Sequence, residues 1–147
     1  MNSEPLVCKA KYGSLSMERQ GRIVVCRFKG SINHTLLNFF TKNLPTVLGD
    51  LQGQQWGYLS SSGEVDAGTP ESEKLLVQAG KKVLQLGCVK AAYVLTSAIA
   101  IAQTRKARSI CGVTEPLEDI IFSSEEDAKR FLQEQLAIIL NSDGENS

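Results

Sequence analysis

Short apolar runs alternate with longer segments whose apolar residues recur at helical spacing, and this alternation restricts the fold more than any other feature of the chain. The run IVVCRF at 23–28 is apolar on both sides, as expected of a strand that is covered on both faces of a sheet. In the next segment Leu36, Phe40 and Leu44 fall on one helical stripe. Strands that alternate with helices predict a mostly parallel sheet joined by crossover helices.

The complete pattern predicts the element order β-β-α-β-α-β-α-β-α. A turn at Gln20 and Gly21 joins the first two strands into a hairpin, which adds an antiparallel edge to the sheet. The predicted fold class is therefore α/β, with a mixed, mostly parallel sheet of four to five strands and about four helices. The strands are predicted at 14–19, 23–28, 55–60, 90–96 and 118–122.

Length and composition predict one domain with an ordinary core. The chain has 147 residues, of which 42% are hydrophobic. We expect the domain to span 13–140, after a partly ordered N-terminal extension at 1–12 and before a flexible tail at 141–147.

Charge and patterning exclude several functional classes. Sixteen Lys and Arg residues balance sixteen Asp and Glu residues, whereas nucleic-acid binders usually carry a basic surplus. No run is apolar for long enough to span a bilayer, and the N-terminus has no apolar signal core, so we expect a cytoplasmic protein. The four cysteines lie far apart without a CxxC pair, which predicts reduced thiols and no metal site.

The segment SSSG at 60–63 is the first candidate for chemistry. A phosphate-binding loop needs several glycines and a lysine, but this segment has only Gly63 and no lysine. Thr69 is a plausible helix cap and Pro70 suits a first helical position. The segment is therefore predicted to be a surface loop between a strand and a helix, without a nucleotide or other cofactor.

Catalytic residues are not evident in the sequence. The single histidine, His34, stands at a predicted helix start, and the chain lacks the G-x-S-x-G elbow of a serine nucleophile. Arg105, Lys106 and Arg108 either meet an anionic lipid or acidic partner or form a solvated helix end, and the second interpretation is favoured. The prediction is a protein that is not an enzyme.

The first predicted helix is more apolar than one buried stripe requires. Leu36 and Phe40 lie on the stripe, whereas Phe39 lies beside it. Phe39 is therefore expected either to meet a partner chain or to line a cavity for an apolar ligand. A homodimer through the first hairpin or Phe39 is one form that such a partnership could take.

Two stretches resemble a known family. AAYVLTSAIAIAQTRKARSI is a strand that runs into a helix, and EDIIFSSEEDAKRFLQEQL combines a short strand ending in Phe122 with a Ser-Glu-Glu cap at 124–126, then Ala128 and the pair at 131–132. Over 14–136 the chain resembles the SpoIIAA-like domains of the STAS and Sec14-related group. The resemblance implies a four- or five-stranded sheet flanked by helices, and a non-enzymatic role.

Two modes of action follow from that resemblance. Some bacterial relatives are anti-sigma-factor antagonists, which are switched by phosphorylation of a serine in an Asp-Ser-x-Gly motif at a helix start. Others have an apolar cavity thought to hold lipid-like molecules. The candidate switch or ligand loop here consists of Ser61, Ser62, Gly63, Thr69 and Ser72, although no aspartate precedes the serines.

The sequence thus predicts a non-catalytic cytoplasmic binding or regulatory module, with a protein or a small apolar molecule as its partner. The alternatives are a carrier or sensor of a lipid-like ligand and a phosphorylation switch.

Overall fold

A computed structural model describes the backbone of residues 2–146 and the side chains of residues 2–142. It contains one six-stranded sheet and four α-helices, with short 3₁₀ turns between some of them. The strands are β1 (Leu6–Lys9), β2 (Gly13–Gln20), β3 (Ile23–Ile32), β4 (Trp56–Gly68), β5 (Cys88–Leu95) and β6 (Ile121–Phe122). The helices are α1 (His34–Leu48), α2 (Glu73–Gln85), α3 (Ala98–Ile110) and α4 (Glu125–Asn146).

The strands lie side by side in chain order, from β1 to β6. β1, β2 and β3 are antiparallel, and β3 to β6 are parallel, which confirms the predicted α/β class with a mixed sheet. The sheet has one strand more than the upper limit of the predicted four to five, because the predicted extension at 1–12 contains β1. Leu6 and Cys8 pack against the core, and their burial holds this strand on β2.

The predicted tail lies largely within α4, which continues to Asn146. Its flexibility and the boundaries of the domain stay predictions, and Met1 and Ser147 lie outside the described residues. Within 2–146, no helix combines the length and the apolar character that a bilayer crossing requires.

Helices cover both faces of the sheet. α1, α2 and α3 share one core with the first face, which contains the fully buried Trp56. The indole of Trp56 donates a hydrogen bond of 2.8 Å to the carbonyl of Leu86, just beyond α2. α4 covers the second face, where Leu132 and Leu136 pack on Leu59 and the neighbouring strands. Parallel strands buried in this way account for the apolar runs in the sequence.

α1 starts at an asparagine cap and continues past a proline. The Asn33 side chain accepts a hydrogen bond of 3.1 Å from the backbone N–H of Leu36 and caps the helix. Pro45 does not end α1, which continues to Leu48. The residues after the proline, Val47 and Leu48, are buried, and their packing offsets the lost backbone hydrogen bond.

The largest difference from the sequence prediction concerns the surface loop expected at 60–63. That prediction is wrong, because the segment lies within β4, which continues to Gly68. Its far end extends beyond β5 and pairs with β3, up to Ile32 opposite Gly68. On its other side, the Thr96 and Ser97 hydroxyls donate to carbonyls of β4, at 2.8 and 2.5 Å. Tertiary pairing therefore holds serine and glycine in a strand that their own preferences disfavour.

Candidate functional site

A cavity of about 200 Å³ lies between the first face of the sheet and helices α2 and α3. Several of its walls carry residues with little or no side chain, including Ala79 and Gly80 on α2, Ala100 and Ala107 on α3, and Ala91 on β5. These positions leave space that larger side chains would fill. The wall is completed by large apolar residues, among them Phe28, Ile32, Leu37, Phe40, Val65 and Leu76.

The two helices approach each other closely beside the cavity. A Cβ atom at Gly80 would lie 3.0 Å from the Cys111 Sγ, so a larger residue would force α2 away from the end of α3. Further along α3, the Gln103 amide accepts a hydrogen bond of 2.7 Å from the Gly68 N–H and donates one of 2.9 Å to its carbonyl. These contacts fix the frame of the cavity, which consists of α2, α3 and the end of β4.

The floor of the cavity combines aromatic and hydroxyl groups from β4. Tyr58, Ser60 and Ser62 point to the same face because strand residues alternate in direction. The two serine Oγ atoms are hydrogen-bonded to each other at 2.9 Å. Tyr58 makes edge contacts with Phe40 and Tyr93, with ring centroids 5.9 and 6.1 Å apart. Burial raises the pKa of Tyr58 well above its usual value, so the phenol stays neutral.

Three charged residues line one end of the cavity, where α3 finishes and β5 begins: Lys90, Arg108 and Glu115. The Lys90 Nζ lies 2.5 Å from a carboxylate oxygen of Glu115. The Arg108 guanidinium donates to the backbone carbonyl of Glu115 at 3.2 Å and lies over the ring of Tyr93 at 5.5 Å. The Lys90 and Arg108 side chains are 18% and 11% exposed, so both cations are largely withdrawn from water.

Two thiols also line the cavity. Cys88 donates to the Lys90 carbonyl at 3.3 Å, and Cys111 donates to the Val77 carbonyl at 3.4 Å. Burial raises the pKa of Cys88 to about 12, which keeps it a thiol and a poor nucleophile near neutral pH.

The residues predicted as one switch or ligand loop are separated in the structure. Ser62 lines the cavity and is almost fully buried, and Gly63 follows it within β4. Ser61 points to the opposite face, towards Glu125 at the start of α4. The Arg27 guanidinium and, to a smaller extent, Ser61 lower the pKa of that carboxyl group by hydrogen bonding.

Thr69 and Ser72 form a separate pair at the turn before α2. Their hydroxyl oxygens lie 2.5 Å apart, and Ser72 also donates to the Ile32 carbonyl at 3.3 Å. Ser72 is fully buried, so a kinase would reach it only after this turn had opened. Phosphorylation at any of these positions stays a prediction.

The apolar candidates of α1 also have different positions. Phe40 lines the cavity, and Leu36 is fully buried in the core beside it. Phe39 is partly buried against that core and does not line the cavity, so its off-stripe position was not a guide to the space. A partner contact at Phe39 stays a prediction.

Sequence reasoning missed the charged end of the cavity. Arg108 was grouped with Arg105 and Lys106 as a solvated helix end, which holds for Arg105, whose side chain is 52% exposed and pairs with Glu118. Arg108 instead follows Thr104 by one helical turn on the side of α3 that faces the cavity. The helical spacing between Thr104 and Arg108 was the signal in the sequence that could have placed Arg108 at the cavity.

Comparison with known proteins places the fold. No protein-family model matches the chain. No curated protein matches it either. Among solved structures, an uncharacterized DUF3478 protein with a SpoIIAA-like fold from Shewanella loihica PV-4 superimposes with a TM-score of 0.60 at 16% sequence identity, over 85% of this chain and 97% of that one.

A second solved structure, the overall structure of SLC26A9, gives a TM-score of 0.56 at 14% identity and covers 82% of this chain. The match spans only 21% of that longer protein. Both likenesses concern the fold, and they agree with the resemblance carried by the two sequence stretches. The chain therefore forms a SpoIIAA/STAS-like α/β domain.

Proposed function

We propose that this chain is a non-catalytic binding module that holds a small, largely apolar ligand in the cavity between the sheet, α2 and α3. The observation that carries the proposal is the cavity itself, with its mainly apolar lining and a small number of polar groups. Ligand sites commonly combine an apolar wall with a few placed polar groups in this way.

Energetics favours an apolar occupant. The cavity is partly open to solvent, and most of its lining is apolar. A ligand that covers this lining removes apolar surface from water, which is favourable by about 25 cal/mol per Å².

The polar groups at the cavity suit binding better than turnover. The thiol of Cys88 and the phenol of Tyr58 are held neutral by burial. The exposed His34 begins α1 and does not line the cavity, so it is not placed to act as a base there. The SpoIIAA/STAS-like fold is consistent with a non-catalytic role.

The proposal also includes a route from the ligand to a partner protein. α2 and α3 form the wall of the cavity on one side and the surface of the molecule on the other, where Ile110 of α3 is exposed. A ligand that shifts these helices would change the surface offered to a partner. We propose a cytoplasmic setting, which suits the four free thiols.

The test is native mass spectrometry of the protein purified from its own cells. We expect an added mass that is lost on denaturation, which identifies a noncovalent ligand. Ala79→Leu fills the cavity and should abolish the added mass, whereas Ala137→Leu makes the same change on the exposed surface of α4 and should retain it. A bare wild-type chain, or a ligand retained in Ala79→Leu, would contradict the proposal.

A further inference from the structure

The charged end of the cavity carries an excess positive charge. Lys90 and Arg108 are cations, Glu115 is the carboxylate between them, and the other described residues of the lining are uncharged. Two positive charges and one negative charge leave one positive charge without compensation. Because both cations are largely shielded from water, this charge costs free energy unless an anion joins them.

The Glu115 carboxylate lies closer to Lys90 than to Arg108. Glu115 lies 2.5 Å from the Lys90 Nζ but 4.0 Å from the Arg108 guanidinium, which is beyond hydrogen-bonding distance. Arg108 donates instead to the uncharged backbone carbonyl of Glu115. A guanidinium has five N–H donors in a planar fork, which fits a carboxylate through two parallel hydrogen bonds.

Arg108 also lies on the cavity side of the sheet. Its guanidinium stacks over the ring of Tyr93, a residue of β5 that lines the same cavity. From Arg108 the cavity follows α3 as far as Ala100, a distance of about 12 Å at 1.5 Å per residue. The apolar side chains of Leu76, Val83 and Leu95 border this passage. A cationic end and an apolar passage fit a molecule with an anionic head and a hydrocarbon tail.

We propose, on the basis of the proposed function, that the ligand is a carboxylate amphiphile of the fatty-acid class, with its head on Arg108 and its alkyl chain between α2 and α3. A carboxylate carries the single negative charge that balances the cavity end. A phosphate monoester carries nearly two negative charges, and its additional charge would lie against Glu115. Lys90 engages the Glu115 carboxylate from the edge of the sheet, where its ammonium also lies over the Phe131 ring of α4 at 5.5 Å, so the head group meets Arg108.

The experiment is calorimetric titration of the full chain with decanoate, methyl decanoate and decanol, which share the alkyl tail but differ in charge. We expect decanoate to bind roughly tenfold to a hundredfold more tightly than the two neutral molecules, the range for a hydrogen bond to a charged group. Arg108→Met should remove this preference. Arg105→Met removes an exposed cation of the same helix and should keep the preference.

The ligands are compared in the wild-type chain, so the result does not depend on whether a variant folds. Equal affinity for decanoate, its methyl ester and decanol would overturn the carboxylate assignment and leave the proposed apolar site intact. Tighter binding of decyl phosphate than of decanoate would also overturn the assignment. No binding of any of these molecules would contradict the proposed function together with the inference.

Discussion

The two faces of the sheet are covered in different ways. On one face α4 lies directly against the strands: a Cβ atom at Gly57 would come within 3.2 Å of Leu136 and 3.5 Å of Leu132. On the other face, small residues such as Ala79 and Ala100 leave a cavity of about 200 Å³ under α2 and α3. The same sheet thus has one closely packed face and one face with a cavity, and the proposed ligand site lies on the second.

The largest effect expected from this difference concerns leucine truncation. Leu132→Ala on α4 should reduce the free energy of unfolding by about 4 kcal/mol, because it creates a new cavity in a close-packed interface. Leu37→Ala removes an equally buried side chain that already borders the cavity, and should cost about 1 kcal/mol less, since fewer contacts are lost. Urea denaturation measures both. Equal or reversed costs would contradict the difference in packing.

The next effect concerns the frame of the cavity. Gln103→Ala removes both hydrogen bonds from α3 to the backbone of Gly68 and should reduce stability by about 1.5 kcal/mol. Gln133→Ala alters an exposed amide on α4 and should change stability by less than about 0.5 kcal/mol. A similar effect of the two variants in thermal denaturation would show that Gln103 does not fasten α3 to β4.

On the α4 face, an ion pair holds the start of the helix to the sheet. Arg27 of β3 bonds Glu125 at 2.8 Å and also pairs with Glu18 of β2. Arg27→Met should reduce stability at pH 7 by about 1 kcal/mol, the upper range for a partly exposed pair. Arg130→Met, which breaks pairs within the exposed surface of α4, should have a smaller effect.

The ion pair also predicts a dependence on pH. Arg27 lowers the pKa of Glu125 in the folded chain from its ordinary value of 4.5. The stabilisation is therefore complete above about pH 4.5 and is lost as the pH falls through the lower folded value. Stability should decline less steeply below pH 4.5 in Arg27→Met than in the wild-type chain. Parallel pH profiles of the two chains would contradict this assignment.

How far the sequence predicts the structure differs between the two faces. Apolar runs and helical stripes predicted the α/β sheet, and the SpoIIAA-like resemblance was confirmed at the level of the fold. These signals arise because buried positions are apolar, and the spacing of apolar residues can be read from the sequence. The second half of β4 was missed because Thr96, Ser97 and Gln103 come from a distant segment to bond its backbone. Local preferences do not contain that information.

The cavity was harder still to predict. An empty space depends on several small residues from different elements that meet only after folding, such as Gly80 of α2 and Ala107 of α3. Arg108 resembles any cation in the last turn of a helix until its neighbours Tyr93 and Glu115 are known. The expectation of an apolar ligand came from the resemblance and from Phe39, which packs beside the core and does not line this cavity.

The smallest expected effect concerns the single histidine. His34 is exposed at the start of α1 and does not line the cavity. His34→Ala should change stability by less than about 0.5 kcal/mol and should leave ligand binding unaltered. Loss of a measured activity in this variant, with the fold retained, would indicate an enzymatic site and contradict the non-catalytic proposal.

The most direct test of the account compares the two faces in one titration. Backbone amide chemical shifts are followed by nuclear magnetic resonance as decanol is added to the isotope-labelled chain. The account predicts saturable shifts in α2, in α3 and in β4 around Ser60 and Ser62, with α4 largely unchanged. Shifts concentrated on α4, or the absence of saturable shifts at the cavity, would contradict the claim that the cavity is a ligand site.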